Sequence, residues 1–199
     1  MNRTLAFPGF IDVHVHFRDP GLTHKGDMDT ESRAAVAGGV TTVFDMPNVV
    51  PQTTDRTRWN ERLALATSKM HTNFGLYMGA TLDNGHELRH MRHGDVCGIK
   101  LFMGSSTGGM LVDAEEHIRR IFEQAKVPVV VHCEDDILIK RNMRRAIDRY
   151  GEGRIPVSEH PVIRSAEACL RSTKKCLAFE KHGSSSPLPM TPSSIFTVE

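Results

Sequence analysis

The sequence has no long hydrophobic run. Its apolar stretches, such as VPVVV at 127–131, have the length of a strand, whereas a membrane-spanning helix needs about 20 apolar residues. The N-terminal MNRTLAFPGF lacks the apolar core of a signal peptide. A net charge of +1 provides no basic surface for nucleic acid or anionic membranes. The four cysteines form neither a CxxC pair nor a dense disulfide pattern. These absences predict a cytoplasmic protein with reduced thiols and with neither nucleic-acid nor membrane partners.

What the 199 residues do contain is a regular alternation of strand and helix patterns. Five short apolar stretches bounded by Gly, Pro, Asn or Asp predict strands at 10–17, 40–46, 73–79, 97–103 and 127–133. Between and after them, helices are predicted at 29–37, 56–70, 85–92, 114–124, 136–150 and 165–182. This order predicts a parallel sheet of βαβ units, either an open α/β sheet or most of a (β/α)8 barrel that stops early.

Composition changes near Gly183. The segment SSSPLPMTPSSIFTVE at 184–199 is rich in Ser and Pro and has no usable periodicity. We therefore predict one α/β domain at 1–183 and a flexible tail at 184–199, with a coil packed on the sheet as the alternative.

The first predicted strand, FIDVHVHFR, carries an unusual polar face. Side chains alternate between the two faces of a strand, so His14, His16 and Arg18 share a face opposite the apolar side chains. A solvated strand face is the plain interpretation. However, two histidines two residues apart can bind one divalent metal ion, and they lie where α/β barrels place their chemistry.

Two other strands also carry polar groups at positions that ordinary packing does not favour. His132 ends the fifth strand, as His14 and His16 end the first, although a satisfied core histidine is the alternative. Lys100 lies in the middle of an apolar strand. Either its side chain extends so that the amine reaches solvent at the edge of the sheet, or the amine is desolvated and can react with carbon dioxide. Such a carbamate is an anion able to bridge two metal ions. The following GSSTGG is not a Walker A loop, and we interpret it as a mobile loop.

The second strand leads into the loop that contains Asn48. A loop Asn is usually part of a turn, but its amide is also a donor for a carboxylate, and Arg18 is the strongest donor of that kind.

Five stretches together resemble dihydroorotase, a cyclic amidohydrolase of the amidohydrolase superfamily. They are PGFIDVHVHFRDPGLTHKGD, AAVAGGVTTVFDMPNVVPQTT, VCGIKLFMGSSTGGMLVD, VVVHCEDD and IPVSEHPVIRSAEAC, and they span residues 7 to 183. The resemblance implies a TIM-type (β/α)8 metal-dependent hydrolase with two zinc ions, of which this chain has about the first five βα units.

The resemblance also implies a role for each candidate residue. His14 and His16 would bind the first zinc ion, Lys100 as a carboxylated lysine would bridge both, and His132 would bind the second. Arg18 and Asn48 would hold the substrate carboxylate. The implied reaction interconverts N-carbamoyl-aspartate and dihydroorotate in pyrimidine biosynthesis.

The sequence departs from the family after the last predicted helix. The family has a histidine in an HLST-like strand and a later aspartate that shuttles the proton, and neither is in this sequence, so its catalytic residue is unknown. We expect a truncated chain of doubtful activity that binds fewer zinc ions. Its open sheet edge predicts homo-oligomers. Two alternatives remain: a dihydropyrimidinase-like or allantoinase-like enzyme, or an inactive metal-binding fragment.

Overall fold

A computed structural model describes residues 4–104, 109–182 and 195–197 of the chain. The described chain divides into two compact units, an N-terminal unit that ends at Met78 and a C-terminal unit that begins at Gly79. No helix in the described part is long and apolar enough to cross a membrane. All four cysteines are free thiols.

The N-terminal unit is built from parallel strands with helices between them. Strand β1 is followed by α1, β2, α2 and β3, and the sheet order is β1-β2-β3 with parallel pairing throughout. The bounds are β1 Phe10–Val15, α1 Met28–Ala37, β2 Val40–Asp45, α2 Arg56–Lys69 and β3 Asn73–Gly79.

The core of the N-terminal unit lies between its sheet and its two helices. Four buried side chains from β2, the two helices and the segment after β1 form its centre: Phe17, Met28, Val43 and Ala66. The earlier apolar residues of β1 do not share this burial, since Ile11 is 62% exposed and Val13 is 40% exposed. The predicted apolar face of the first strand therefore enters the core only from Val15 onward.

The C-terminal unit contains a second set of parallel strands in the order β4-β5-β6. Its strands are β4 Gly98–Phe102, β5 Val129–His132 and β6 Ile195–Thr197. Its helices are α3 Gly85–Leu88, α4 Glu115–Gln124, α5 Asp136–Tyr150, α6 His160–Ile163 and α7 Ala166–His182, with a 3-10 turn at Val157–Glu159. Every residue of β4 and β5 is buried, as expected of parallel strands that are covered on both faces.

The predicted alternation is confirmed, and the first five strands lie within two residues of their predicted bounds. The third predicted helix is shorter than expected, because α3 ends at Leu88. The short helix α6 begins at His160, and Pro161 occupies its first turn, where a missing N–H costs nothing.

Strand β6 is a feature that the sequence did not predict. Ile195, Phe196 and Thr197 pair in parallel with Val130, Val131 and His132 of β5. These are β-branched and aromatic residues, which favour strands, and β5 offers them an edge with unpaired backbone groups. These three residues belong to the segment 184–199, whose other residues lie outside the described part, so both the flexible tail and its alternative, a coil packed on the sheet, stay predictions.

Helix α1 yields a pH prediction. Its N-cap Asp27 accepts hydrogen bonds from the backbone N–H groups of Asp29 and Thr30, at 2.9 and 3.0 Å, and from the Thr30 hydroxyl. The Thr30 backbone N–H is the largest cause of a lowered Asp27 pKa. The stability that this carboxylate contributes is therefore fully present above its ordinary pKa of 3.8 and is lost as the pH falls through the lower, folded-state pKa.

Asp27→Asn keeps a side chain that can cap the helix but removes this titration. The test is urea unfolding between about pH 2.5 and 5, the range in which carboxyl groups titrate. On acidification, Asp27→Asn should lose less stability than the wild type. Asp148→Asn, at an exposed position of α5, is the control and should match the wild type. An acid loss of equal size in Asp27→Asn would show that Asp27 does not carry it.

Candidate functional site

The two histidines of the first strand lie together at its carboxyl end. His14 is inside β1, whereas His16 follows the last strand residue, Val15. Their ring centroids are 5.3 Å apart and the rings are tilted by 49°. Both side chains are half-buried. The predicted proximity of the two imidazoles is therefore present in the N-terminal unit.

Asn48 contacts one of these histidines directly. The Nδ1 atom of His16 lies 2.8 Å from Oδ1 of Asn48, and because an amide oxygen only accepts hydrogen bonds, Nδ1 must carry the proton. The other ring nitrogen, Nε2, then carries the lone pair that can bind a metal ion. We had assigned Asn48 to the substrate carboxylate; its contact with His16 is an additional interaction that the sequence did not predict.

Arg18 lies just beyond the histidines in a sterically unfavourable backbone conformation, with a φ of 61°. Such left-handed conformations in non-glycine residues cluster at functional sites. Its guanidinium makes no hydrogen bond or ion pair with any residue that the structure describes, although the side chain is half-buried. A half-buried cation with this freedom is suited to binding a carboxylate.

A buried ion pair lies beneath this turn, and sequence reasoning missed it. Nη2 of Arg62, from α2, is 2.6 Å from Oδ2 of Asp45, and the two side chains are 1% and 0% exposed. The second oxygen of Asp45 accepts the backbone N–H of Phe17 at 3.1 Å. Burial raises the pKa of Asp45, while Arg62 acts in the opposite direction. Asp45 thereby fixes the backbone between His16 and Arg18.

Lys100 is fully buried in β4 of the C-terminal unit. Its Nζ lies over the ring of Phe102, 4.8 Å from the centroid, so these two side chains share a face of the strand. In the β4–β5 register, Lys100 is the partner of Val130, so His132, two residues further along, lies on that same face. The sheet thus brings Lys100 and His132 to one side of the C-terminal unit.

His132 ends β5 and is 2% exposed. Its Nε2 lies 2.8 Å from Oε2 of Glu134. Arg164 donates from Nε to the other Glu134 oxygen at 2.8 Å and from Nη2 to Oε2. Burial alone would raise the pKa of Glu134, but the hydrogen bonds from Arg164 and His132 outweigh it and hold that pKa below its usual value.

The chemistry of these side chains decides whether they can bind a metal ion. Within the described residues, no three side chains of His, Cys, Asp or Glu come together as a metal-binding group. A lysine carbamate is not among those residue types. The buried Nδ1 of His132 has no hydrogen-bond partner in the described structure, as expected of a ring nitrogen whose lone pair is kept for a ligand. The His16 and His132 contacts both match the pattern in which a metal-binding His donates its other N–H. The residues therefore fit a divalent metal.

Two further observations limit the site. A cavity of about 300 Å³ in the C-terminal unit lies between α3 and α4, and no predicted site residue lines it. The central part of GSSTGG, at 105–108, lies outside the described residues, so our interpretation of it as a mobile loop stays a prediction.

Comparison with known proteins gives a consistent set of relatives. A model of the amidohydrolase family matches residues 5–159. The chain is 36% identical over 176 residues to a dihydroorotase of Methanosarcina mazei. The alignment covers 87% of this chain and 37% of that protein. It is 36% identical over 151 residues to an allantoinase of Streptomyces avermitilis, covering 73% of this chain and 34% of that protein.

Among solved structures, an L-hydantoinase (dihydropyrimidinase) from Arthrobacter aurescens matches with a TM-score of 0.81 at 26% identity. The match covers 88% of this chain and 40% of the hydantoinase chain. This chain therefore spans well under half the length of the relatives it matches. The predicted fold class, a TIM-type (β/α) barrel hydrolase present here as its first βα units, agrees with these relatives.

Proposed function

Because the chain belongs to the amidohydrolase family, we propose that it carries metal-binding strands of a dihydroorotase-type cyclic amidohydrolase. The observation that carries this proposal is the paired arrangement of His16 with Asn48 and of His132 with Glu134. In each pair a side-chain oxygen accepts one ring N–H, as the outer partner of a metal-binding histidine does. In His132 the other ring nitrogen, Nδ1, has no hydrogen-bond partner among the described residues. The similarity to the dihydroorotase of Methanosarcina mazei supports this type of activity.

The ligand set follows from the strand ends. We propose that His14 and His16 hold one zinc ion and that Lys100, as a carbamate, and His132 also hold zinc. Divalent zinc in such a site supplies an activated water and polarises an amide carbonyl. The amidohydrolase family is generally metal-dependent, which supports a metal at these residues.

The chain's own residues would bind and orient the substrate. Arg18 offers a guanidinium with no protein partner in the described chain, and Asn48 lies beside His16. We propose that they hold the carboxylate of dihydroorotate or N-carbamoyl-aspartate, because a planar guanidinium binds a carboxylate through two parallel hydrogen bonds. This assigns the protein to pyrimidine biosynthesis, and the free thiols fit a cytoplasmic location.

A second candidate is hydrolysis of a hydantoin, dihydropyrimidine or allantoin ring. The fold similarity to L-hydantoinase and the sequence similarity to allantoinase favour it. Such rings lack the carboxylate that Arg18 would bind, which is why we place dihydroorotate first.

A substrate panel with the purified, zinc-loaded protein tests this proposal. Any turnover should favour dihydroorotate, with a kcat/KM roughly 100-fold or more above that for hydantoin, dihydrouracil and allantoin, because a site built to bind a polar group rejects analogues that lack it. Arg18→Met should remove most of this preference. Preference for hydantoin or allantoin would favour the second candidate. Zinc bound without turnover on any substrate would mean an inactive metal-binding fragment.

A further inference from the structure

The tautomer of His132 is determined by its neighbour. A carboxylate accepts hydrogen bonds but cannot donate them, so the 2.8 Å contact with Glu134 places the His132 proton on Nε2. The lone pair is then on Nδ1, which is buried and has no hydrogen-bond partner among the described residues. A buried acceptor without a donor costs free energy, which an arriving ligand would recover.

Glu134 is itself held from two sides. Arg164 donates to both of its carboxylate oxygens, and this fork fixes the plane of the carboxylate. On the other side, Gly104 lies so close that a Cβ there would be 2.5 Å from the Cβ of Glu134. The carboxylate therefore cannot turn away from the His132 ring without breaking its hydrogen bonds with Arg164.

We propose that Glu134, held by Arg164, is a positioning residue that fixes the His132 tautomer and aims Nδ1 at the metal ion. The identity of the ligand as a metal rests on the proposed function above. The tautomer rests on the geometry alone. A purely structural Arg164–Glu134 pair would stabilise the fold but would not set the protonation of the ring, so the two roles make different predictions.

The first measurement is the His132 tautomer in the metal-free protein, obtained from long-range 1H–15N NMR spectra of 15N-histidine-labelled chain. The signal is assigned by its absence in His132→Gln. We expect the wild type to carry the proton on Nε2, and Glu134→Ala to show a mixture of both tautomers. Glu134→Gln should keep the Nε2 tautomer, because its amide oxygen still accepts the hydrogen bond.

The second measurement is zinc affinity, obtained by competition with a chromophoric chelator. Loss of an outer partner of a metal-binding histidine typically costs about 10–100-fold in metal affinity, and we expect a loss of this size in Glu134→Ala and a smaller one in Glu134→Gln. The control is Glu116→Ala, which removes a carboxylate paired with Arg120 on the exposed face of α4. It should change neither the tautomer nor the affinity.

The outcomes separate this inference from the proposed function. If the wild type binds zinc and His132→Gln loses affinity while Glu134→Ala does not, the positioning role is wrong and the proposed function stands. If the wild type binds no zinc, the proposed function fails, and with it the claim that Nδ1 of His132 is aimed at a metal ion. Should Glu134→Ala not fold, Glu134→Gln still decides the matter, because a shift of the proton to Nδ1 in that variant would overturn the inference.

Discussion

Replacing Arg62 with Met should lower the free energy of unfolding by about 3–5 kcal/mol, since it leaves the buried carboxylate of Asp45 without its partner. The two side chains are 1% and 0% exposed and are joined by a 2.6 Å contact. Met is close to the length of the Arg stem, so lost charge pairing, and not a cavity, is the main change. Chemical denaturation of wild type and Arg62→Met measures the effect.

The matched control is on the same helix. Arg58→Met removes an exposed pair with Glu61 and should cost about 0–1 kcal/mol, as surface pairs usually do. The double variant Asp45→Asn/Arg62→Met removes the unpaired charge and keeps an acceptor for the Phe17 N–H, so it should recover most of the loss. Equal effects of Arg62→Met and Arg58→Met would contradict this account of the buried pair.

The same variant should depend on pH in a defined direction. Burial already raises the Asp45 pKa, and without Arg62 the pKa rises further. A carboxyl group with a raised folded-state pKa binds its proton more tightly in the folded protein. The folded protein therefore loses stability as the pH rises from the unfolded-state pKa toward the folded-state pKa. The destabilisation of Arg62→Met should therefore be larger at neutral pH than in mild acid.

Replacing Lys100 with Met should reduce zinc affinity by more than about 100-fold, because even changes to outer-shell partners cost roughly 10–100-fold. The fold should not suffer in the same way. Lys100 is fully buried in β4 and its Nζ lies against the Phe102 ring, so an apolar side chain of similar length can take its place. We expect an unchanged or higher free energy of unfolding together with lost zinc binding.

Lys126→Met is the control, because it makes the same residue replacement at an exposed position just before β5. It should leave both zinc affinity and stability near the wild-type values. A Lys100→Met variant that loses stability but keeps its zinc affinity would assign Lys100 to the fold and not to the metal.

Much of the fold followed from local pattern. Short apolar runs bounded by turn residues placed the first five strands, because buried parallel strands have little choice of composition. Strand β6 did not follow from pattern, because it depends on an edge of β5 that only the folded sheet presents. The exposure of β1 also could not be predicted from the pattern. Ile11 lies on the apolar face of the alternating strand, as a core residue would, and is nevertheless mostly exposed.

The candidate site shows the same division. Residues of unusual type at strand ends, such as His16 and His132, stood out in the sequence because ordinary packing does not require them. Their partners did not. Glu134 appears in the sequence as part of an acidic turn, and Arg164 lies 30 residues further along, so only the folded chain shows that Arg164 holds the carboxylate that contacts the His132 imidazole. Arg62 was hidden similarly, as one of several arginines on an amphipathic helix.

The central claim is that the strand-end histidines bind metal, and zinc K-edge X-ray absorption of the zinc-loaded protein tests it most directly. The account predicts imidazole nitrogen at about 2.0–2.1 Å from zinc, with a weaker imidazole contribution in both His16→Ala and His132→Ala. A dominant sulfur shell at about 2.3 Å, which would come from the free cysteines, or a spectrum unchanged in both histidine variants, would contradict it.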